Sequence, residues 1–292
     1  MRKFDLEDLA IVRAVVTHGG VTRAAKALHR VPSNVTTRIK QLEARLDVHL
    51  FARHGRNLVP TEEGRLLTSY ADRLLRLAHE AESALVEGRL LGTLRLGSLE
   101  STAGTRLPHL LTRYNHENPA VRIELVTGTT GALIGRLTRH DVEAAFVSEP
   151  FHAPGLLSQP VFEEELVLIT ARHIRSLNGI GDTKRVTLIA FARGCSYRRI
   201  FEQWQGERGI ITPGVLEFTS YPAIVACVAA GTGVAIVPRS VLAGLKSAAS
   251  VRAHALPEHL AHSRTHLLWH EGQESPALRS LRDLLAAHQA GS

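Results

Sequence analysis

Ser33, Asn34, Thr36, Thr37, Arg38 and Lys40 crowd the segment that follows Pro32, and none of them is apolar. Asparagine can pair with adenine, arginine with guanine, and a threonine methyl can meet the methyl of thymine. On a helix these residues would form a face able to read base edges in a major groove. The plainer alternative is a solvated polar face. Arg53 and Arg56 lie on either side of Gly55. Two arginines at the tip of a basic hairpin suit phosphates or a minor groove, where they set affinity more than sequence preference.

A second group of polar residues sits where strands should give way to helices. It comprises Glu100-Ser101-Thr102, Ser148-Glu149, Cys195-Ser196-Tyr197 and Thr219-Ser220-Tyr221. Hydroxyls at such places either cap the helix or turn toward a ligand. Helix N-termini favour anions, whereas Glu100 and Glu149 would favour an amine, so ligand charge stays open. His259, His262, His266 and His270 would align on a helix, but the last two read better as a strand and no Cys or acid completes a metal set. No HExxH, GxSxG, P-loop or GxGxxG pattern occurs, and Ser196 has no neighbouring base. Neither a cofactor nor catalysis is expected.

The elements that must position these residues can be read from spacing. Leu6, Leu9, Ala10, Val12, Val15 and Val16 recur at helical intervals, with Asp5 and Asp8 as an N-terminal cap and Gly19-Gly20 as a stop. Val21 to Leu28 is a short alanine-rich helix. Pro32 opens the next one, where its missing N–H costs nothing, and Val35, Ile39, Leu42 and Leu46 form its inward stripe. Leu50 to Pro60 reads as a two-stranded wing. A long helix then runs from about Thr61 to Arg89. Along it Leu67, Tyr70, Leu74, Leu77, Ala81 and Ala84 alternate three and four apart, a coiled-coil seam that needs a second copy to bury it. Gly88 and Gly92 supply a hinge.

From Gly92 the pattern becomes alternating strands and helices. Strands are expected at 93–99, 121–126, 144–147, 165–170, 186–191, 215–218, 233–237 and 266–270. Helices are expected at 103–117, 131–139, 197–205, 221–230 and 276–288. Such alternation predicts parallel sheets. Two lobes joined by crossings near 160 and near 268 would enclose a cleft suited to a small ligand. The expected organisation is therefore a DNA-reading domain over 1–60, a dimerising helix over 61–91 and a two-lobed α/β domain over 92–292. Lobe I would take about 92–160 and 269–292, and lobe II about 161–268.

Charge follows this division. Residues 1–60 hold eleven Lys or Arg against five Asp or Glu, whereas the other residues are nearly balanced, 24 against 23, within a net charge of +7. An excess confined to the head fits contact with a polyanion there. Cys195 and Cys227 lie 32 residues apart without a CxxC and fit reduced thiols. MRKFDLEDL has no apolar run, and the longest one, Ala223 to Ala230, is too short to span a bilayer. The expectation is a soluble cytoplasmic protein with no membrane partner.

The stretches AAKAL, PSNVTTRIKQLEARLDVHLF, ARHGR and TEEG, then GTLRLG and GTGVAIVPRS, resemble the LysR-type transcriptional regulators in order along the whole chain. RVPSNVTTRI, LEST, GCSYRR and SYPAIVACVAAGTGVAIVPRS look most like the subgroup that regulates putrescine utilisation. The resemblance implies an N-terminal all-α winged helix-turn-helix with a linker helix, then a periplasmic-binding-protein-like effector domain. It implies double-stranded DNA as partner for Ser33, Asn34, Thr36, Thr37, Arg38, Lys40, Arg53 and Arg56. It implies a small-molecule effector for Glu100, Ser101, Thr102, Ser148, Glu149, Ser196, Tyr197, Thr219 and Ser220, and the subgroup likeness suggests a polyamine such as putrescine. It also implies a homodimer or homotetramer formed through Leu67, Tyr70, Leu74 and Leu77. There is one departure. Many family members carry Ser-Arg where this chain has Thr36-Thr37, so the arginine is displaced to Arg38. Two rival readings are a solute-binding protein, disfavoured by the basic head, and an α/β enzyme, disfavoured by the missing catalytic constellation.

Overall fold

The computed structural model describes residues 3–54, 57–84, 90, 92–177, 187–210 and 214–290. It divides into two compact units, Met1–Gly88 and Arg89–Ser292.

The first unit is built on three helices, α1 (Leu6–Thr17), α2 (Val21–Ala27) and α3 (Pro32–Leu46). Asp5 and Asp8 form a reciprocal capping box at the start of α1, each side chain accepting the other's backbone N–H. This satisfies two donors that a helix start otherwise leaves unpaired. Gly19, with φ of +66°, turns the chain away after α1. Val35, Ile39 and Leu42 of α3 pack on Ile11, Val12 and Val15 of α1 and on Ala24 and Ala25 of α2, whose small side chains let the helices approach. The wing is an antiparallel pair, β1 (Phe51–His54) and β2 (Asn57–Pro60). Gly55 at its tip lies outside the described residues.

The long helix α4 (Glu62–Ala84) follows; the expected end at Arg89, with Gly88, lies outside the described residues. Leu67 turns inward and joins the core of this unit, and Ala71 is fully buried beside α1. Leu67 therefore leaves the expected seam, because its stretch of α4 is already covered. Tyr70, Leu74 and Leu77 stay exposed at 49%, 37% and 61%.

The second unit has a seven-stranded sheet. β3 (Gly92–Ser98) lies parallel to β4 (Val121–Thr127) and to β5 (Ala144–Ser148), with α5 (Glu100–Thr105), α6 (Leu107–Glu117) and α7 (Thr130–Thr138) as crossovers. The 16-residue strand β6 (Leu156–Ala171) runs antiparallel to β11 (His262–His270) from Leu156↔His270 to Glu165↔His262. A bulge between Thr265 and His266 interrupts this register. β11 pairs on its other side with β5. Beyond Glu165, β6 pairs with β9 (Ala235–Pro238) and β10 (Val251–Ala255). One sheet thus serves both lobes.

Lobe I packs Leu94, Leu96, Phe146 and Trp269 against Tyr114 of α6 and against Leu278 and Leu281 of α12 (Pro276–Ala290). In lobe II, α8 (Ser196–Glu207) covers one face of the sheet with Phe201 and Trp204. Its other face takes Ile224, Val225 and Val228 of α9 (Tyr221–Ala229). The short parallel pair β7 (Leu188–Ala190) and β8 (Val215–Glu217) completes the lobe, with the short helices α10 (Arg239–Ala243) and α11 (Glu258–Ala261) at its edges.

Four expectations change. The sheet is mixed, because β6 carries the chain between lobes and β11 must return beside it; element alternation says nothing about direction. β6 starts at Leu156 rather than Glu165, masked in sequence by Pro160 and three consecutive glutamates. The helix expected over 103–117 breaks at Arg106, where Pro108 opens α6 and cannot donate to the preceding turn. The second crossing lies before His262 rather than near 268, since residues 265–269 already pair with β5 of lobe I.

Gly64 in the first turn of α4 is held against the wing. A Cβ there would sit 2.0 Å from the Leu50 carbonyl oxygen. Gly64→Ala should therefore destabilise the N-terminal unit by at least about 1–3 kcal/mol. Chemical denaturation followed by helical circular dichroism checks this, and a midpoint equal to that of the parent would contradict the packing described.

Candidate DNA-reading face and effector cleft

Helix α3 hides its apolar stripe against α1 and α2, and the rest of its start faces outward. Ser33, Asn34, Thr37 and Lys40 are exposed and Thr36 is half-buried, its hydroxyl donating to the Pro32 carbonyl at 3.0 Å. Arg53 is exposed on β1, and Arg56 lies outside the described residues. Arg38 departs from the group. Its Nε donates to Asp8 Oδ1 at 2.7 Å and its Nη2 to Asp5 Oδ2 at 2.7 Å, with Glu7 at 3.3 Å. Asp8 is completely buried and also accepts from Arg45 Nη2 at 2.6 Å. Hydrogen bonds to Asp8 and Asp5 hold the Arg38 guanidinium above the usual arginine range. Arg38 thus ties α3 to the start of α1 instead of reaching outward, because a buried carboxylate needs a charged partner.

In the second unit the expected hydroxyl loops do not all converge: Ser148 and Ser196 meet between the lobes, whereas Thr219 is exposed. They do not cap their helices: the starts of α5, α8 and α9 show no side-chain cap. Ser196 Oγ of lobe II instead lies within bonding distance of three lobe I oxygens: the Ser148 carbonyl at 2.7 Å, Thr130 Oγ1 at 3.0 Å and the Pro150 carbonyl at 3.2 Å. The Gly131 N–H donates to the Gly194 carbonyl at 3.0 Å. The two glycines touch: a Cβ on Gly131 would lie 3.3 Å from Gly194 Cα. Ser101, Thr102, Ser148, Ser196 and Tyr197 are all buried. The cleft is closed around them.

Three expected cleft residues sit elsewhere or differently. Glu149 turns away, its Oε1 bonded to His266 Nε2 at 2.8 Å, while His266 Nδ1 meets Ser158 Oγ at 2.8 Å. Thr219 is exposed and Ser220 is half-buried without a capping bond. Two of the other three histidines find unrelated partners, His259 with Glu207 and His270 with the Leu137 carbonyl. Among the described residues no group of three or more His, Cys, Asp or Glu could hold a metal ion, and no helix is long and apolar enough to cross a membrane.

Two family models match the chain: the bacterial regulatory helix-turn-helix protein of the lysR family over residues 6–65, and the LysR substrate binding domain over residues 87–290. The chain belongs to the LysR family of transcriptional regulators. It is 36% identical to the uncharacterized HTH-type transcriptional regulator YusT of Bacillus subtilis (strain 168), over 94% of this chain and 93% of that one. It is 35% identical to the HTH-type transcriptional regulator GltR of the same strain, over 87% and 86%. Full-length CbnR, solved in complex with its target DNA, superposes with a TM-score of 0.69 at 23% identity, covering 97% of this chain and 99% of CbnR. These relatives are regulators rather than enzymes. This LysR-type regulator therefore carries an N-terminal DNA-binding unit and a two-lobed effector domain.

Sequence reasoning missed Thr130, Gly131 and Gly194, which join the lobes, and Arg106 with Glu164. Arg106 of lobe I bonds Glu164 Oε1 at 2.8 Å and the Glu163 carbonyl at 3.1 Å where β6 passes between lobes. Ser240 Oγ donates to the same buried Glu164 at 2.6 Å. The run Thr127 to Gly131, with two glycines among three threonines after a strand, was the available signal for the first of these sites.

Burial raises Glu100 above the usual carboxylate range, opposed in part by the Tyr221 backbone N–H. A carboxyl raised in the folded state binds its proton more tightly there than in the unfolded chain. Its contribution to stability therefore falls as pH rises through and above the ordinary glutamate range. Glu100→Gln should melt higher than the parent at neutral pH, with the gap closing as pH is lowered below that range. Calorimetry across pH tests this; a gap independent of pH would refute a buried, ionising carboxylate.

Proposed function

We propose that this LysR-type regulator is a one-component switch whose interlobe cleft receives a small-molecule effector and whose α3 face reads duplex DNA. The observation that carries the reading is that the Ser196 hydroxyl bridges the lobes instead of capping α8. An effector entering there would replace those bonds, and it can act only through different affinity for two arrangements. A polyamine belongs to this proposal as the effector class, supported by the likeness of RVPSNVTTRI, LEST and GCSYRR to regulators of putrescine utilisation.

Ser33, Asn34, Thr36, Thr37 and Lys40 contact the major groove, and Arg53 and Arg56 the flanking phosphates. Arg38 positions α3 without touching bases. Two copies pair through Tyr70, Leu74 and Leu77, giving a dimer, or a tetramer of two dimers, on an operator with dyad symmetry. The protein acts in the cytoplasm.

Two measurements test this. Fluorescence anisotropy on DNA upstream of the gene should show affinity falling steeply with salt, and Arg53→Ala should make the log–log slope shallower by about one per phosphate left without its arginine. Asn34→Ala should weaken discrimination between operator and mutated operator by about 1–3 kcal/mol. Binding indifferent to salt would refute phosphate anchoring. In the second, a Leu74→Asp, Leu77→Asp double variant should sediment as a monomer and bind the operator at least tenfold more weakly. A double variant that remains dimeric would remove α4 from the interface.

A further inference from the structure

A cavity lies between α6, α12 and the paired strands β6 and β11, in two adjoining compartments of about 520 and 140 Å³. Arg106, Phe162 and His288 line both and so form the passage between them. None of Thr130, Ser148, Pro150 and Ser196, which bond across the cleft, borders either compartment. The space is therefore separate from the candidate effector cleft. Its size suits a small molecule.

The two compartments differ in chemistry. In the smaller one Leu110 and Leu284, 8% and 4% exposed, meet the half-buried Phe162. A dry apolar cavity of about 150 Å³ holds a body the size of one six-membered ring. The larger compartment carries Arg106 and Arg264, and Arg113 borders the smaller. Arg106 commits its Nε to Glu164 and its Nη2 to the Glu163 carbonyl, and a guanidinium has five N–H donors. Its Cζ stands 5.9 Å from the centre of the Phe162 ring.

Charge decides what the larger compartment receives. Glu163 lines it 3.8 Å from Arg264, with side chains 86% and 61% exposed. Such an exposed pair contributes little and yields to a competitor. Glu164 and Glu117, the partners of Arg106 and Arg113, do not line the cavity. Among the described residues three arginines thus face one carboxylate. The last turn of α12, which borders the space through His288 and Gln289, disfavours an anion. An exposed helix end counts for less than one charge-assisted bond to arginine.

The floor of the larger compartment is the strand bulge. Thr265 pairs with Phe162 and His266 with Pro160, which leaves Val161 unpartnered in the ladder, and Val161 lines the cavity. Gln289 Nε2 donates to the Pro160 carbonyl at 2.7 Å, tying the end of α12 to the same point.

We propose that this cavity is a second ligand site, distinct from the interlobe cleft, for a small amphipathic carboxylate. The apolar body lies against Leu110, Phe162 and Leu284, and the carboxylate accepts from Arg106 and Arg264. A ligand held there links the start of α6 to β11 across the bulge and stiffens the strand that both lobes share. It therefore changes how readily the lobes move without entering the cleft.

The test is isothermal titration of the full-length protein with phenylacetate and with hexanoate. The controls are 2-phenylethylamine, a cation with a similar body, and inorganic phosphate, an anion without one. At least one carboxylate should bind at least about tenfold more tightly than either control. Arg264→Gln, at an exposed position, should weaken that carboxylate roughly tenfold. His288→Trp, which fills the passage from the exposed last turn of α12, should abolish its binding while the circular dichroism matches that of the parent. If His288→Trp does not fold, Arg264→Gln alone decides. Binding of neither carboxylate, a control bound as tightly, or a carboxylate affinity unchanged in Arg264→Gln each overturns the proposal. Carboxylate binding that survives both substitutions places the ligand elsewhere, so this site fails while the cleft reading stands.

Discussion

One strand, β6, belongs to both lobes of the effector domain, and that sharing constrains everything the domain can do. β6 pairs antiparallel with β11 from Leu156↔His270 to Glu165↔His262 across one bulge, and β6 alone continues into lobe II. The lobes cannot separate without breaking this ladder, so their motion is limited to bending about it. The bulge between Thr265 and His266 is the point where the register already yields, and bulges bend and twist a strand locally. Arg106 clamps the same region by holding Glu164 and the Glu163 carbonyl. Gly131, Gly194 and Ser196 make further contacts between the lobes.

Much of this could be seen in the chain before folding, and what could not has a physical cause. Helical periodicity and the Asp5, Gly19 and Pro32 punctuation located α1 and α3, because those signals are local. Ser148 and Ser196 could be picked out locally as hydroxyls between a strand and a helix, but not that they would meet each other across the lobes. Strand direction was hidden, since β6 and β11 are partnered across about 100 residues and their pairing leaves no local trace. β6 was further obscured by Glu163, Glu164 and Glu165, whose charge suggests a surface loop until Arg264 meets Glu163, Arg106 and Ser240 meet Glu164, and Arg239 meets Glu165. Glu149 was misplaced because its partner, His266, lies more than a hundred residues away.

Arg38 shows how a departure from a family pattern can carry information. An arginine displaced by one position on a recognition helix rotates by about 100° at 3.6 residues per turn. That rotation is enough to move it from the outward surface to the flank that meets α1. There it finds Asp8, buried at the centre of a set that includes Asp5, Glu7, Arg30 and Arg45. Removing either charge from such a set leaves the other stranded, which is why a buried ion pair is costly to break even when its net contribution is small. The consequence is a helix whose orientation is fixed by charge on one side and by Val35, Ile39 and Leu42 on the other. The exposed start of α3 carries short side chains, Ser33, Asn34 and Thr37, so under the proposed reading the angle of α3 matters more than it would for long arginines.

The energy scale of the cleft suits a switch. Apart from the Arg106 clamp, the lobes are joined among the described residues by bonds that include Gly131 to Gly194, those of Ser196 and a long one, 3.4 Å, from Arg199 to the Pro150 carbonyl. A hydrogen bond of this kind contributes about 0.5–1.5 kcal/mol net, so a set of three or four amounts to roughly 2–6 kcal/mol. Moving a two-state equilibrium from 1:99 to 99:1 takes about 5.5 kcal/mol of differential binding. The closed arrangement is thus held firmly enough to dominate alone, yet within reach of one small ligand.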